Sequence, residues 1–287
     1  MDVGIGLPNA LDGVRGRALV AWAVAAEERG FGVLGAIGRI VFDTHEELMA
    51  FAAAAAVTER IALMSTVMVA PARQPALLAK QVATLDHIAE GRFRLGMGAG
   101  GRTDDFVVMD RDFDARGALL DAQLDALRAT WRGEALDGVE APVGPPPFTA
   151  GGPPIVLGGG SPRALRRVGE RADAYLAPPA PADRIAPLYD RVREAADTAG
   201  RPAPRLLGVR YFALGDDVDD EVRRNVTSYY AFGGQDFADH VYASVLRSPD
   251  EITEALHSLA AVGVEEVCLW PLSADISQLH ALADVVW

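Results

Sequence analysis

Hydrophobic positions along this chain fall into short continuous runs and into longer stretches in which an apolar residue recurs every three or four positions. The run 61–69 is apolar and partly β-branched, which predicts a strand buried on both faces. A helix then begins at Pro75 and ends at Gly91, with an apolar face made of Leu78, Val82, Leu85 and Ala89. A second strand is predicted over 92–97. Strand, helix and strand with short connections form a right-handed crossover, so the two strands are parallel and their carboxyl ends share one rim.

The same alternation of strand and helix runs along the rest of the chain. Further strands are predicted over 3–7, 33–36, 155–157, 174–177, 205–214 and 265–270. Further helices are predicted over 15–29, 114–131, 162–171, 183–199, 219–230 and 276–286, and two more begin at capping boxes, Thr44 with Glu47 and Ser248 with Glu251. Eight strands that alternate with helices predict an α/β fold over 1–287, a closed (β/α)8 TIM barrel in a single domain. A doubly wound open sheet is the alternative.

Three stretches interrupt this pattern. Residues 133–154 are rich in proline and glycine and lack periodicity. We interpret them as a connecting insertion and not as a domain boundary, because the alternation resumes after them. Residues 216–247 form a variable loop and helix region with a break at Gly233 and Gly234, and the polar residues 102–113 predict a loop.

Composition narrows the class of protein. With 287 residues, half of them hydrophobic, the chain can bury a large core. The net charge of −13 argues against a nucleic-acid partner, because binding to phosphates requires a basic surface. No apolar run reaches membrane-spanning length and the first residues do not resemble a signal peptide, so we expect a cytoplasmic protein that does not enter a membrane. The single cysteine, Cys268, excludes an internal disulfide framework, and no histidine has metal-ligand spacing, so no metal site is predicted.

The loop after the fifth strand has the pattern of an anion site. Gly158, Gly159 and Gly160 follow the strand, and Ser161 then caps a helix with a proline in its first turn. Glycines let backbone amides approach a ligand and a helix N-terminus attracts negative charge, so a phosphate group suits this loop. Arg163, in the first helical turn, is placed to reach such an anion. In the alternative interpretation the glycines only make a tight turn and Ser161 only caps the helix.

Two segments of the chain are together typical of one family. The first ends a strand with Thr66-Val67 and continues with the motifs Arg-Gln-Pro (73–75), Leu-Ala-Lys-Gln-Val-Ala-Thr-Leu-Asp (78–86), Gly-Arg-Phe (91–93) and Leu-Gly-Met-Gly-Ala-Gly (95–100). The second is the glycine loop and helix start at 159–165. With these motifs the chain resembles the luciferase-like monooxygenase family, barrel oxidoreductases that bind FMN or the deazaflavin coenzyme F420.

This resemblance implies roles for individual residues. Thr66 and Val67 match a pair that often carries a non-proline cis peptide and backs the middle of the cofactor ring. Gly98 and Ala99 match the loop that lines the cofactor. The resemblance also implies a homodimer and a small-molecule substrate. The family's phosphate site corresponds to the glycine loop, with Gly158, Gly159, Gly160, Ser161 and Arg163.

The chain departs from the family where proton-transfer groups are expected. Many F420-dependent dehydrogenases of the family have an acidic residue and a histidine after the second strand, but this chain has Gly38 and Arg39. Arg39 is therefore the candidate catalytic residue, because a guanidinium in a cofactor pocket can bond an oxyanion or the ring edge. Some members have a glutamate after the glycines of the fourth strand, where this chain has Gly101.

Other polar and aromatic residues near the expected rim have structural interpretations. We expect His45 to be exposed in the first turn of a helix. Asp104 and Asp105 are interpreted as solvating their loop, with substrate positioning as the alternative. Three residues near the ends of strands seven and eight either belong to the core or flank a substrate: Arg210, Tyr211 and Trp270.

The resemblance therefore implies an oxidoreductase that uses reduced F420 to transfer hydride to a small organic substrate. One alternative is a monooxygenase that uses reduced FMN. An alternative of another class is a barrel that binds the cofactor without turnover.

Overall fold

A parallel sheet forms the centre of the molecule. The computed structural model describes residues 1–135, 140–215 and 217–287. Within them nine strand segments are found, β1 (Asp2–Gly6), β2 (Val33–Ala36), β3 (Ala62–Ser65), β4 (Met68–Val69), β5 (Phe93–Gly98), β6 (Ile155–Gly158), β7 (Ala174–Leu176), β8 (Arg205–Phe212) and β9 (Glu266–Pro271).

The sheet closes into a barrel because β3, at one end of the strand order, also pairs with β5 near the other end. β1 pairs with β2 and with β9, and each strand pairing is parallel. β3 and β4 both pair with β5, so together they make one of eight barrel strands. The predicted (β/α)8 barrel is confirmed, and the open sheet is excluded.

Helices follow the strands and cover the barrel. The described residues contain α1 (Gly16–Glu28), α2 (Glu47–Ala55), α3 (Pro75–Ile88), α4 (Thr103–Val108), α5 (Arg116–Trp131), α6 (Pro162–Arg171), α7 (Ala182–Thr198), α8 (Asp219–Tyr230), α9 (Gln235–Ala243), α10 (Pro249–Ala261) and α11 (Ser277–Val286). None of these helices has the length and apolar character needed to cross a membrane.

Two helix starts test the predicted capping boxes. Ser248 caps α10 as predicted, because its hydroxyl accepts from the backbone N–H of Glu251 at 3.2 Å. The prediction for α2 was wrong, because its N-cap is Glu46, whose carboxylate accepts from the N–H of Met49. Thr44 lies in the preceding loop, where its hydroxyl donates to the carbonyl of Arg39.

The predicted strand 61–69 is interrupted at Thr66 and Val67, so the prediction of one continuous strand was wrong. Beside the break, the side chain of Ser65 makes the hydrogen bonds to β5 that a backbone would otherwise make. Its hydroxyl donates to the carbonyl of Gly96 at 2.9 Å and accepts from the Gly96 N–H at 2.8 Å. A Cβ on Gly96 would lie 1.7 Å from the carbonyl oxygen of Ser65. The close approach of the two backbones therefore requires glycine at this position.

The proline-rich insertion is attached to α3 by polar contacts. The buried carboxylate of Asp86 accepts from both the N–H and the hydroxyl of Thr149, at 2.7 and 3.1 Å. Lys80 donates to the carbonyl of Gly144 at 2.6 Å, and a ring nitrogen of His87 lies 2.8 Å from the carbonyl oxygen of Pro146. Residues 136–139 of the predicted insertion lie outside the described residues.

Two regions that interrupt the regular alternation contain helices beside the barrel mouth. The predicted loop 102–113 contains α4, because Thr103–Val108 is helical. The variable region contains α8 and α9 and returns to the barrel where Leu246 bridges Phe212, while residue 216 lies outside the described residues.

Candidate functional site

A cavity of about 240 Å³ lies at the carboxyl ends of the strands. It is bounded by strand ends, by the loops after β2 and β5, and by the segment that ends α8. Its lining includes Thr66, Val67, Arg39, Arg102, Asp105, Tyr211, Tyr229, Tyr230, Phe232 and Trp270. Loops on this side of a barrel carry the functional groups of barrel enzymes, and we call this space the mouth cavity.

One wall of the mouth cavity is formed by Thr66 and Val67. The peptide bond between these two residues is cis, as the resemblance implied. The methyl groups of Val67 lie against the ends of the next two strands, since a Cβ on Gly98 would be 2.8 Å from one methyl and a Cβ on Gly158 would be 3.3 Å from the other. The structure thus brings Val67, Gly98 and Gly158 together, with the half-buried Ala99 beside them.

The glycine loop after β6 presents free backbone amides to solvent. The hydroxyl of Ser161 caps α6 by accepting from the N–H of Ala164 at 3.2 Å. The N–H groups of Gly160, Ser161 and Arg163 have no acceptor among the described residues. Gly159 has a φ of +132°, a conformation that favours glycine. Three free amides at the N-terminus of a helix can bind an anion.

Arg163 does not extend over these amides. Its side chain is 64% exposed and leans toward α5, where a guanidinium nitrogen lies 3.9 Å from a carboxylate oxygen of Asp121. Asp121 is held more closely by Arg167, through two contacts of 2.5 and 3.0 Å. In this arrangement the backbone of the glycine loop, and not Arg163, supplies the nearest donors for an anion.

Arg39 is buried and fixed by Asp105. Its Nε donates to Asp105 Oδ2 at 2.9 Å and its Nη2 donates to the carbonyl of Val41 at 2.9 Å. The second oxygen of Asp105 accepts from the N–H groups of Ile40 and Val41. The interpretation of Asp105 as a solvating residue was wrong, because only 2% of its side chain is exposed, whereas Asp104 is 51% exposed.

One nitrogen of Arg39 is left without a partner. Nη1 is buried and has no hydrogen-bond acceptor among the described residues, although Arg39 lines the mouth cavity. A buried donor without an acceptor is costly unless a ligand or water satisfies it. An acceptor oxygen on a bound molecule, or a water, would satisfy this nitrogen.

Aromatic residues of α8 and the following turn cover the mouth cavity, and the sequence interpretation did not identify them. The guanidinium carbon of Arg102 lies 4.0 Å from the ring centre of Phe232 and 4.8 Å from that of Tyr229. Burial, and then the neighbouring charge of Arg39, lower the pKa of Arg102. In the sequence, this cluster is indicated by the adjacent tyrosines Tyr229 and Tyr230, which come shortly before Gly233 and Gly234.

Two tyrosines form the hydroxyl pair of the mouth cavity. The oxygens of Tyr211 and Tyr230 are 2.5 Å apart, and burial raises the pKa of both phenols. Both hydroxyls therefore stay protonated at neutral pH, and the pair can donate to a substrate oxygen. Tyr211 and Trp270 are buried and also line the cavity. They therefore belong to the core and are also placed to flank a bound molecule, the two roles that the sequence left open.

No histidine lines the mouth cavity among the described residues. His45 is not the exposed first-turn residue that the sequence suggested, because it is half-buried in the loop before α2 and its Nε2 lies 2.8 Å from the carbonyl oxygen of Val14. Within the described ranges no cluster of three or more potential metal ligands is found.

A closed parallel barrel whose carboxyl-side loops enclose an aromatic and arginine-lined cavity defines the class of (β/α)8 barrel proteins. The chain belongs to the luciferase-like monooxygenase family, whose profile matches residues 1–267.

Three known proteins show what this chain is similar to in sequence or in fold. An uncharacterized protein of Mycobacterium tuberculosis is 31% identical over 58% of this chain, and the match spans 62% of that protein's own length. The F420-dependent glucose-6-phosphate dehydrogenase of Nocardia farcinica is 27% identical, over 80% of this chain and 74% of that enzyme. The oxygenating constituent of 3,6-diketocamphane monooxygenase from Pseudomonas putida, solved with FMN, has a TM-score of 0.76 at 18% identity, over 100% of this chain and 96% of that one, and shows the shared fold.

Proposed function

We propose that this protein is an oxidoreductase that binds reduced F420 and uses it to reduce a small organic substrate. The observation that carries this proposal is that an apolar wall at Val67 and a cradle of free amides at Gly160, Ser161 and Arg163 lie at the carboxyl ends of nearby barrel strands. A flat ring with a phosphate-bearing chain needs these two features together. The F420 dependence named for the Nocardia relative supports the choice of cofactor.

In this proposal the protein orients the cofactor and excludes water. Val67, backed by Gly98 and Gly158, supports one face of the ring, and the amides of the glycine loop hold the phosphate. Bound reduced F420 supplies the hydride. The aromatic residues Tyr229 and Phe232 cover the cavity, and a dry site strengthens the polar contacts made inside it.

The polar groups of the mouth cavity act on the substrate in this proposal. The free Nη1 of Arg39 donates to an oxygen of the substrate or to the ring edge, and its position is fixed by Asp105. The hydroxyl pair of Tyr211 and Tyr230 provides a proton near the substrate oxygen, in a chain that has Gly38 and Arg39 where many relatives have an acid and a histidine.

A monooxygenase that uses reduced FMN is the second candidate. The exposed start of α6 favours it, because the terminal phosphate of FMN carries more negative charge than the phosphodiester of F420 and gains more from free amides and the helix dipole. Cofactor binding without turnover is the remaining alternative, and it predicts a bound chromophore without substrate-dependent redox change.

The test of the proposed site is the substitution Gly160→Asp. Gly160 has no other group within 4 Å of its Cβ position, so a side chain fits without disturbing the fold. Titration with F420 and with FMN, followed by the cofactor's own fluorescence, should show binding at least about tenfold weaker in this variant. Gly160→Asn is the matched neutral control and should bind much as the unchanged protein does. Equal binding by Gly160→Asp, or no binding of either cofactor by the unchanged protein, would refute the site assignment.

The direction of the reaction is tested separately. Oxidation of reduced F420 by unsaturated or carbonyl acceptors under anaerobic conditions is the expected result. Oxygen consumption that requires both reduced FMN and an organic substrate would favour the second candidate. Reduction of F420 by alcohols would assign the chain as a dehydrogenase and contradict the proposed direction.

The proposal includes a homodimer. An apolar groove between α2 and α3 supports this, because Met49 and Leu77 in its lining are 59% and 55% exposed. Light scattering on the eluting protein should give twice the chain mass of 30.4 kDa. A monomer at all concentrations would refute this part.

A further inference from the structure

A second and larger cavity lies beside the mouth cavity. Its volume is about 660 Å³, and it opens between the loop after β7 and the end of α9. Pro179 lines both cavities, so they adjoin each other. The residues around the larger cavity are Pro179, Ala180, Pro181, Asp183, Arg184, Arg210, His240, Ala243 and Ser244.

Arg210 extends from the barrel wall into this second cavity. It lies on β8 between Val209 and Tyr211, which line the mouth cavity, so strand alternation directs its side chain to the outer side of the barrel. Only 8% of the residue is exposed. The side chain is therefore largely buried, although it lines a cavity.

The part of the chain that the structure describes offers Arg210 no adjacent counter-charge. Among the described residues no carboxylate lies within 4 Å of its guanidinium, and its hydrogen bond is from Nη2 to the carbonyl of Ser244 at 3.0 Å. Burial lowers the pKa of Arg210, and no nearby acid opposes that shift. An uncompensated buried charge destabilises a protein, so an anionic ligand is the expected partner for this group.

The free nitrogens of Arg210 are accessible from the cavity. A guanidinium has five N–H donors, and the bond to Ser244 uses one of them. The unpaired nitrogens are not among the buried donors that lack partners, in contrast to Nη1 of Arg39. A molecule in the second cavity can therefore reach them.

The lining around Arg210 carries one further arginine and one acid, and a helix begins beside them. Arg184 is exposed at the cavity rim. The helix α7 begins there at Ala182, after an N-cap proline that offers no side-chain cap, so the N–H groups of Ala182 and Asp183 have no acceptor among the described residues. Asp183 is the acidic residue of the lining and opposes an anion, and it is exposed to solvent.

We propose that the second cavity is a subsite for an oxyanion group, a phosphate, sulfonate or carboxylate, which Arg210 binds. Because the cavity adjoins the mouth cavity, one molecule can place its reacting end in the mouth and its anionic group on Arg210. The group belongs either to the substrate or to the acidic tail of F420. Anion binding by Arg210 is independent of the proposed function, whereas the choice between these two sources rests on it.

A structural role for Arg210 is the competing explanation. Ser244 follows the last turn of α9, and a cation at a helix C-terminus stabilises that helix. In that case substitution of Arg210 would lower the stability of the protein without changing its affinity for anions.

The experiment is a titration of the full chain with inorganic phosphate at low ionic strength, followed by ³¹P NMR. It is carried out in the Gly160→Asp background, which removes phosphate binding at the glycine loop. Arg210→Gln should weaken phosphate binding at least about tenfold, because a charge-assisted contact is lost. Arg210→Lys keeps the charge and should have a smaller effect. Arg184→Gln, at an exposed position, is the matched control and should weaken binding about twofold.

Removing a negative charge from the lining should strengthen phosphate binding. Asp183→Asn removes the carboxylate of the lining and should tighten phosphate binding. Urea unfolding of each variant checks that the fold is kept. Phosphate affinity unchanged in Arg210→Gln, with or without a loss of stability, would overturn the proposal and favour the role at the end of α9.

Repeating the titration with the cofactor present identifies the source of the anion. Phosphate binding that persists when F420 is saturating assigns the subsite to the substrate. Displacement of phosphate by F420, with weaker F420 binding in Arg210→Gln, assigns it to the cofactor tail. If neither F420 nor FMN binds but phosphate still depends on Arg210, the proposed function fails and the anion subsite stands.

Discussion

Arg39 and Asp105 form a buried ion pair between residues that are 66 positions apart in the sequence, with Nε 2.9 Å from Oδ2. Their side chains are 4% and 2% exposed. Because Asp105 also accepts from two backbone amides of the loop after β2, one carboxylate joins that loop to α4. The position of the candidate catalytic arginine therefore depends on a residue from a different strand connection.

Removing the carboxylate of Asp105 should destabilise the protein. Asp105→Asn leaves Arg39 buried without its counter-charge, and we expect the free energy of unfolding to fall by about 3 kcal/mol. Asp104→Asn is the matched control, because Asp104 is half-exposed and lies 3.6 Å from Arg39, so its loss should cost less than about 1 kcal/mol. Urea unfolding measures both values. Equal losses in the two variants would contradict the assigned role of Asp105.

The contact between Ser65 and Gly96 predicts a strict requirement for glycine. Gly96→Ala would place a carbon 1.7 Å from a backbone oxygen, so we expect little folded protein. Gly101→Ala is the control, because its Cβ would meet its nearest neighbour at 4.0 Å and its φ is not positive. Soluble yield and circular dichroism should separate the two. A folded Gly96→Ala variant with normal stability would contradict the described approach of β3 and β5.

Asp121 should make stability depend on acid pH. Its hydrogen bonds with Arg167 lower the pKa of this carboxyl below the ordinary value of 3.8. A carboxyl with a lowered pKa in the folded state stabilises the protein above its unfolded pKa, and that stabilisation is lost as the pH falls through the folded pKa. Asp121→Asn should therefore lower stability by about 1–2 kcal/mol at pH 7 and by much less in strong acid. Asp125→Asn, at a 71% exposed carboxyl, is the control and should change little at either pH.

Tyrosine ionisation should be delayed in the folded protein. The pKa is raised by burial for the phenols of Tyr175, Tyr189, Tyr211, Tyr229 and Tyr230. These phenols stay protonated in the folded state above the ordinary pKa of 10.0, so stability is intact below that pH and falls as the pH rises through the folded values. A near-ultraviolet phenolate titration should show most tyrosines ionising together with unfolding. Ionisation of all six near pH 10 without unfolding would contradict the buried cluster.

The barrel and its glycine loop could be predicted because their signals are local in the sequence. The helix with Leu78, Val82 and Leu85 on one face needs only its own periodicity, and a Ser-Pro helix start after glycines needs only five residues. The cis peptide at Thr66 was anticipated from the family motif and not from the pattern of apolar residues, which gave one unbroken strand. Local patterns therefore identified the strands and helices but not the interruption that shapes the cavity wall.

The rest of the candidate site depends on contacts that no local pattern records. The partnership of Arg39 with Asp105 spans two strand connections, and the stacking of Arg102 on Phe232 spans half the barrel. Charged residues in loops are usually solvated, so the sequence alone predicts an exposed side chain for Asp105. The buried state of such a residue follows from the closure of the barrel, which brings separate loops together over one opening.

The polar attachment of the insertion to α3 has a consequence for how the chain tolerates a break in its backbone. Three residues on a single helix, Lys80, Asp86 and His87, hold the carbonyls and amides of residues 144–149. After a peptide bond cut between 140 and 143, residues 144–149 of one fragment would still be held by α3 of the other fragment. The two fragments, about half the barrel each, should then remain one particle on a sizing column and separate only in denaturant.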